Sequence, residues 1–136
     1  MKILVCGDRN WTEAGPIEQL VSALPAGSIV VEGEARGVDS MARDIARVAG
    51  FEVRRYPAKW DRYGRQAGRI RNLEMLNTEG PDIVVAFHDN IQASRGTGHM
   101  VRCSALRGKP VVVLNSRGRI YVSHNTGAQS LSDLFS

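Results

Sequence analysis

The sequence predicts an α/β fold built on a mainly parallel sheet. Short apolar runs alternate along the chain with amphipathic segments of helical period, and glycine or proline separates most of them. The last of these runs, at residues 111–114, is apolar at every position, as in a central strand that is covered on both faces. Alternating strands and helices with right-handed crossovers favour the strand order 3-2-1-4-5. We therefore expect a Rossmann-like three-layer sandwich with about five strands.

The first half of the chain contains three of the predicted strands, at residues 2–6, 28–31 and 51–56. The first predicted helix lies between the first two strands and has Pro16 near its start. The second begins at Gly37 and ends at Gly50. Its apolar residues follow a helical spacing and predict one buried stripe, formed by Val38, Met41, Ala42, Ile45 and Ala49.

The second half of the chain repeats this alternation of strands and helices, and the pattern becomes weaker after the fifth strand. A third helix is predicted at residues 69–77, a fourth strand at 82–87 and a fourth helix at 98–107. On the third helix we expect the apolar side chains of Ile70, Leu73 and Leu76 to point inward, and those of Arg71, Asn72 and Met75 to lie on another face. After the fifth strand, residues 119–122 predict a possible edge strand. We expect residues 1–122 to form one domain and residues 123–136 a tail.

Composition narrows the class of protein. The 136 residues suit one domain, and no run approaches the ~20 apolar residues of a membrane span. The first residues lack the pattern of a signal peptide, so a cytoplasmic location without membrane contact is expected. The two cysteines, Cys6 and Cys103, have neither disulfide nor metal spacing, and we expect both to be small buried hydrophobes. No metal site and no cofactor are predicted.

Three polar loops follow predicted strands and are expected to meet. In the order 3-2-1-4-5 the chain reverses direction between strands one and four, and a ligand crevice usually opens there. The loop GDRNW follows strand one, HDNIQASRGTG follows strand four, and EGEARG follows the neighbouring strand two. Because the carboxyl ends of parallel strands share one edge of the sheet, these loops predict a binding site at that edge.

The first loop contains Gly7, Asp8, Arg9 and Trp11. Glycine allows close backbone approach, and the acidic, basic and aromatic side chains suit a ribose hydroxyl, a phosphate and a stacked base. The alternative is a plain turn in which Asp8 caps the chain and Trp11 packs inward. The loop alone leaves both interpretations open.

The second loop places acidic residues where an anion site is expected. Gly33 and Gly37 flank the turn, and Gly37 opens a helix whose free N–H groups could face an anion. Asp39 suits either a capping role or a ribose hydroxyl. Because a carboxylate aimed at phosphate would weaken binding, Glu32 and Glu34 are expected to face sugar hydroxyls, arginines or solvent. Arg36 is expected to offset their charge.

Two further segments suit a phosphate group. Arg71 and Asn72 lie on the third helix, where the alternative is a solvated basic face. Ser94, Arg95, Gly96 and Thr97 precede the fourth helix, and small residues with a hydroxyl cap are typical of an anion-binding helix start. An ordinary capped helix after a flexible loop is the alternative there.

Four motifs together resemble one family. GDRNW, EGEARGVDSMA, AGRIRNLEM and SRGTG occur in the order found in the SLOG superfamily, which includes the Lonely Guy phosphoribohydrolases and the DNA-processing protein DprA. The chain is most similar to a small bacterial and phage branch of unknown function with GDRxW, GxARGxD and RNxxM motifs. The resemblance covers roughly residues 1–114.

The resemblance implies a site like that of the Lonely Guy enzymes, and this sequence differs from their motifs at one position that they use in catalysis. Lonely Guy enzymes cleave the N-glycosidic bond of nucleoside 5′-monophosphates through RKxxM and PGGxGTxxE motifs. Arg71, Asn72 and Met75 match the first motif with Asn in place of Lys, and residues 94–97 match the second in part. The glutamate after GT is missing, so a hydrolase would need a substitute carboxylate. The candidates for catalysis are Arg71, Glu32 and Glu34, with Asp8 and Asp89 as other possible carboxylates.

The favoured hypothesis is a binder of a nucleotide-derived small molecule, such as a nucleoside phosphate, ADP-ribose or a related signalling nucleotide. It would act as a sensor or sequestering protein in bacterial or phage defence. The alternatives are a phosphoribohydrolase and DprA-like binding of single-stranded DNA through residues 59–71. The resemblance also implies a homodimer or larger homo-oligomer, with Trp60 and Tyr63 as possible interface anchors. The predicted ligand-binding set comprises Gly7, Asp8, Arg9, Trp11, Gly33, Glu34, Arg36, Gly37, Asp39, Arg71, Asn72, Ser94, Arg95, Gly96 and Thr97.

Overall fold

A computed structural model describes residues 1–135 and contains one six-stranded sheet in the order β3-β2-β1-β4-β5-β6. The first five strands are parallel, and β6 pairs antiparallel with β5 at the edge. The predicted fold class, strand order and extra edge strand are confirmed. The strands are β1 (Lys2–Gly7), β2 (Ile29–Glu32), β3 (Glu52–Arg55), β4 (Ile83–Phe87), β5 (Val111–Leu114) and β6 (Ile120–His124).

Helices cover both faces of this sheet. The helices are α1 (Ala14–Ala23), α2 (Val38–Val48), α3 (Trp60–Tyr63), α4 (Ala67–Glu79), α5 (Gly96–Leu106) and α6 (Leu131–Leu134). Alternate side chains of a strand point to opposite faces, so β1 contributes Ile3 and Val5 to one core and Leu4 and Cys6 to the other. The first core is completed by α1 and α2, the second by α4 and α5. The sheet is therefore the middle of three layers.

The predicted inward face of the third helix is wrong in part. In α4, Met75 is 1% exposed and Asn72 is 5% exposed, whereas Ile70 is 37% exposed. Leu76 is buried as expected, and Leu73 is half-buried. The helix is rotated from the predicted face because two polar residues, Asn72 and Glu79, are buried through hydrogen bonds. Apolar periodicity cannot detect such positions.

The predicted stripe on α2 needs a smaller correction. Val38 and Ala42 are buried, and Met41 and Ile45 pack partly against the same core, but Ala46 rather than Ala49 completes the buried side. The helix ends at Val48, so Ala49 already belongs to its exposed end.

A buried carboxylate fixes the end of α4 to the sheet. Glu79 forms ion pairs with Lys2 at 3.0 Å and Arg54 at 2.8 Å, and it accepts a hydrogen bond from the Tyr56 hydroxyl. Burial alone would raise the pKa of Glu79, but the hydrogen bonds from Tyr56, Lys2 and Arg54 lower it to about 2. The carboxylate is thus ionised and fully paired, which holds α4 in the rotation that positions Arg71 and Asn72.

The last residues that the structure describes pack against the first core. β6 extends to His124, and Leu131, Leu134 and Phe135 contact that core. The proposed domain boundary at residue 122 stays a prediction. Within residues 1–135, no helix has the length and apolar character needed to cross a membrane.

Candidate functional site

The loops after β1, β2 and β4 lie at the carboxyl edge of the sheet. The Asp8 amide donates to the Phe87 carbonyl at 3.0 Å, which joins the ends of β1 and β4. The Val38 amide donates to the Asp8 carbonyl at 3.3 Å, so the first turn of α2 rests on the loop after β1. The site is therefore built on backbone contacts between loops that are distant in sequence.

Two glycines make these contacts possible. A Cβ atom on Gly7 would lie 2.4 Å from the Phe87 carbonyl oxygen, and one on Gly37 would lie 2.3 Å from the Asp8 carbonyl oxygen. Gly37 also has a φ of +71°, in the left-handed region that favours glycine. Both glycines allow one part of the backbone to approach another, and their contact with a ligand stays a prediction.

Asp39 organises the turn between β2 and α2. Its Oδ2 atom accepts hydrogen bonds from the amides of Gly33 at 3.1 Å and Ala35 at 3.3 Å. Burial raises the pKa of Asp39 to about 6, while the positive charge of Arg71 and the two amides act in the opposite direction. Asp39 lies in the first turn of α2, but the amides that it satisfies belong to the turn before the helix, and no side chain among residues 1–135 caps the helix start. Contact of Asp39 with a ribose hydroxyl stays a prediction.

Glu32 has an unusual environment for a carboxyl group. It is 0% exposed, its Oε2 accepts a 2.6 Å hydrogen bond from the Glu34 amide, and no donor within residues 1–135 reaches its Oε1. A protonated Glu32 carboxyl can, however, donate a hydrogen bond to the neighbouring Glu34 carboxylate. Burial, together with the nearby carboxyl groups of Asp39 and Glu34, raises the pKa of Glu32 to about 8. The group is mainly protonated at neutral pH and does not face solvent.

Glu34, in contrast to Glu32, forms ion pairs and has a lowered pKa. It accepts from Arg43 at 3.2 Å and lies 3.5 Å from Arg55. Although burial acts to raise it, the hydrogen bonds from Arg43 and from the protonated Glu32 carboxyl lower the pKa of Glu34 below its ordinary value. The expectation that Arg36 offsets this charge is wrong, because the ion pairs of Glu34 are formed by Arg43 and Arg55. Arg36 is exposed.

Arg71 connects two of the loops. Its Nη1 atom donates to the carbonyls of Gly33 and, at 3.4 Å, Tyr56, and its Nε donates to Asn72 Oδ1 at 3.1 Å. A Cβ atom on Gly33 would lie 2.5 Å from this Nη1 atom, so the absence of a side chain there makes room for the guanidinium. Its Nη2 atom donates to no group within residues 1–135, which leaves N–H donors available.

Asn72 extends this connection to the start of α5. Because Oδ1 accepts from Arg71, the amide nitrogen faces α5, where it lies 3.3 Å from the Gly96 carbonyl and 3.2 Å from His99 Nδ1. His99 Nε2 in turn lies 3.4 Å from Cys103 Sγ. Burial and the charges of Arg69, Arg102 and Arg107 lower the pKa of His99. Sequence reasoning missed His99, although its spacing of four residues from Cys103 places both on one helical face.

The start of α5 offers backbone donors. Ser94 Oγ accepts from the Gly98 amide at 3.2 Å, whereas the amides of Gly96 and Thr97 have no hydrogen-bond partner in the described part of the chain. A Cβ atom on Gly96 would meet nothing within 4 Å, so this helix end is open. Thr97 is largely buried and Arg95 is exposed. The helix begins two residues before its predicted start, which brings Gly96 and Thr97 into its first turn.

For the other residues of the first loop, the structure does not favour contact with a ligand. Trp11 is 6% exposed, and its ring packs edge-on against Phe87 with centroids 5.8 Å apart. It therefore offers no stacking face. Asp8 Oδ1 accepts from the Asn10 amide at 2.9 Å, as in a plain turn, and Arg9 is exposed. The structure thus resembles the alternative interpretation of this loop.

Two hollows lie away from this edge. One, of about 430 Å³, is at the opposite end of the sheet and includes residues 26–29 and 49–52. The other, of about 480 Å³, is an open groove between the outer faces of α1 and α2, beside the 90% exposed Val48. Neither contains the charged and backbone groups described above, so neither alters the choice of candidate site.

Comparisons with known proteins agree with the sequence motifs. The family model described as YspA, cpYpsA-related SLOG family matches residues 1–63, which include the loops after β1 and β2. The chain is also similar to the Gene 61 protein of Mycobacterium phage D29, with 35% identity over 120 residues. That alignment covers 82% of this chain and 94% of the phage protein.

Proposed function

Because the chain belongs to the YspA, cpYpsA-related SLOG family, we propose that it binds a nucleotide-derived small molecule at the carboxyl edge of the sheet. The favoured ligands are nucleoside phosphates and ADP-ribose or a related signalling nucleotide. Family membership is consistent with nucleotide-related binding. The choice of these ligands follows the resemblance of the four motifs to the SLOG superfamily, and the position of the phosphate is argued from the geometry of the loops.

The observation that carries the proposal is the open start of α5. The free amides of Gly96 and Thr97 point along a helix of 11 residues, whose dipole favours an anion at this end. Ser94 satisfies the Gly98 amide and leaves these two donors unoccupied. Two adjacent backbone donors at an exposed helix start suit a phosphate group better than a neutral ligand.

Arg71 and Asn72 supply the second part of the argument. Asn72 contacts the Gly96 carbonyl, so the Arg71 guanidinium beside it lies near the first turn of α5. Its free Nη2 atom can add a charge-assisted hydrogen bond to a phosphate held by that turn. Its other donors hold the loops after β2 and β3, so the cation is fixed before a ligand arrives. This preorganisation lowers the entropic cost of binding.

Binding is favoured over hydrolysis because of the state of the two leading candidate carboxyl groups, those of Glu32 and Glu34. Glu32 is fully buried, and Glu34 is engaged by Arg43 and Arg55. A glycosidase needs a carboxylate that reaches the sugar. The hydrolase, single-stranded DNA and defence hypotheses remain predictions. So does the homo-oligomer, for which Trp60, 58% exposed, and Tyr63, 37% exposed, are the suggested anchors.

Titration calorimetry with AMP, ADP-ribose and adenosine tests the proposal. We expect both phosphate-bearing ligands to bind, and adenosine to bind at least about tenfold more weakly, because it lacks the group that meets Gly96, Thr97 and Arg71. Raising the salt concentration should weaken AMP binding and leave adenosine little changed. Equal affinities for AMP and adenosine, or no binding of any of the three, would contradict the proposal.

A further inference from the structure

The hydrogen bonds of His99 join the two helices that carry the proposed phosphate site. Its Nδ1 atom lies 3.2 Å from Asn72 Nδ2, and the same amide nitrogen lies 3.3 Å from the Gly96 carbonyl oxygen. Asn72 belongs to α4, the helix of Arg71, whereas Gly96 is the first residue of α5. His99 therefore accepts one of the two N–H groups through which Asn72 connects Arg71 with the start of α5.

The direction of these hydrogen bonds follows from the chemistry of Arg71. A guanidinium can only donate, so Asn72 Oδ1 accepts from Arg71 Nε, at 3.1 Å. The amide nitrogen then presents its two hydrogens to α5, one to the Gly96 carbonyl and one to His99 Nδ1. His99 Nδ1 must therefore be without a proton. The ring is neutral and carries its proton on Nε2, which lies 3.4 Å from Cys103 Sγ.

A proton on His99 Nδ1 would break this series of contacts. The new N–H group would point at the amide nitrogen of Asn72, so that two donors would face each other. Flipping the amide does not remove the conflict, because it would turn the same nitrogen toward the guanidinium, which also only donates. Burial lowers the pKa of His99, and so do the positive charges of three arginines on the two helices, Arg69, Arg102 and Arg107. The surroundings of the ring thus favour its neutral form.

We propose that His99 is a positioning residue for phosphate binding, and that only its neutral ring holds Asn72 between Arg71 and the first turn of α5. The proposal rests on the function proposed above. His99 need not touch the phosphate, which in that function meets the amides of Gly96 and Thr97 and the guanidinium. Because its effect passes through Asn72, we expect His99 to change the affinity for a phosphate-bearing ligand and to leave adenosine binding little changed.

Calorimetry with ADP-ribose tests the proposal at neutral pH. His99→Leu removes the acceptor and keeps an apolar side chain of similar size, and we expect it to weaken ADP-ribose binding about tenfold, the value of one good hydrogen bond. His99→Asn is the matched variant, because its amide oxygen can take the place of Nδ1 as acceptor. We expect it to bind ADP-ribose within about threefold of the unaltered protein.

The pH dependence distinguishes this role from a merely structural one. ADP-ribose suits a titration from about pH 5 to pH 8 because its pyrophosphate keeps its charge, whereas the phosphate of AMP titrates near about pH 6. As the pH falls below about 6.5, protonation of His99 should weaken binding to the unaltered protein, and His99→Asn should lose less affinity. Asp39 and Glu32, with pKa values of about 6 and about 8, titrate in both proteins. The difference between the two profiles is therefore due to His99.

Nuclear magnetic resonance of the ring nitrogens adds a test that needs no ligand, and we expect the Nε2–H tautomer of His99 at neutral pH. The Nδ1–H tautomer, an unchanged ADP-ribose affinity in His99→Leu, or parallel pH profiles for the unaltered protein and His99→Asn would overturn the proposal while ligand binding stands. Failure of the unaltered protein to bind ADP-ribose or AMP would instead overturn the proposed function, and this role with it. If thermal unfolding shows that His99→Leu does not fold, the pH profiles and the tautomer decide.

Discussion

Replacing Gly37 with alanine is expected to lower the free energy of unfolding by at least about 3 kcal/mol. Gly37 has a φ of +71°, and its new Cβ atom would lie 2.3 Å from the Asp8 carbonyl oxygen and 2.6 Å from the Arg9 carbonyl carbon. Both neighbours are backbone atoms that cannot rotate away. Relief requires separation of the loop after β1 from the start of α2, which also breaks the bond from the Val38 amide to Asp8. Urea-induced unfolding followed by circular dichroism measures the loss.

Gly27→Ala provides the matched control. Gly27 has a similar φ of +78°, but a Cβ atom there would meet nothing within 4 Å. Its substitution therefore costs only the conformational preference, about 1 kcal/mol. A loss as small for Gly37→Ala as for Gly27→Ala would show that the two loops are not in the close contact that forms the base of the site.

Replacing Arg71 with alanine is expected to weaken AMP binding about 100-fold, or about 2.7 kcal/mol. The substitution removes the free guanidinium donor beside α5. It also removes the bonds that hold the Gly33 and Tyr56 carbonyls and that orient Asn72 towards Gly96. The phosphate would therefore lose a direct contact and part of the arrangement around it. Calorimetry with AMP measures the effect, and unfolding in urea shows how much stability is lost with it.

Arg69→Ala is the control that distinguishes a specific contact of Arg71 with AMP from the loss of one positive charge on the protein. Arg69 lies two residues earlier on α4 and is exposed, so its removal changes the net charge equally. We expect its effect on AMP affinity to be within about threefold, because exposed charges are screened by salt. Comparable losses in the two variants would mean that AMP responds to the basic surface as a whole, and the assignment of Arg71 would fail.

The fold was predictable because its determinants are local and repeated. The apolar strands β4 and β5 are fully buried, as their uninterrupted Val-rich runs predict, and the alternation with helices fixes the parallel order. The rotation of α4 was not predictable. It depends on the buried polar residues Asn72 and Glu79, whose partners come from β1, β3 and α5, far away in sequence.

The candidate site was predictable in its location but less so in its roles. Parallel strands bring their loops to one edge, so the common edge of the GDRNW, EGEARG and SRGTG segments follows from strand order alone. The sequence could not show that the neighbouring acidic residues Glu32 and Glu34 differ in burial and in protonation state. Glu32 is buried and protonated, whereas Glu34 is ionised and paired, because only the second meets Arg43 and Arg55 in space. Likewise, the burial of Trp11 depends on its contact with Phe87, a residue of another strand.

The position of the phosphate in a crystal structure of the protein with AMP tests the central claim most directly. The phosphate oxygens should lie within about 3.2 Å of the Gly96 and Thr97 amide nitrogens and should contact the Arg71 guanidinium. A nucleotide found at this edge with its phosphate remote from the first turn of α5 would contradict the account, as would a nucleotide bound in the groove between α1 and α2.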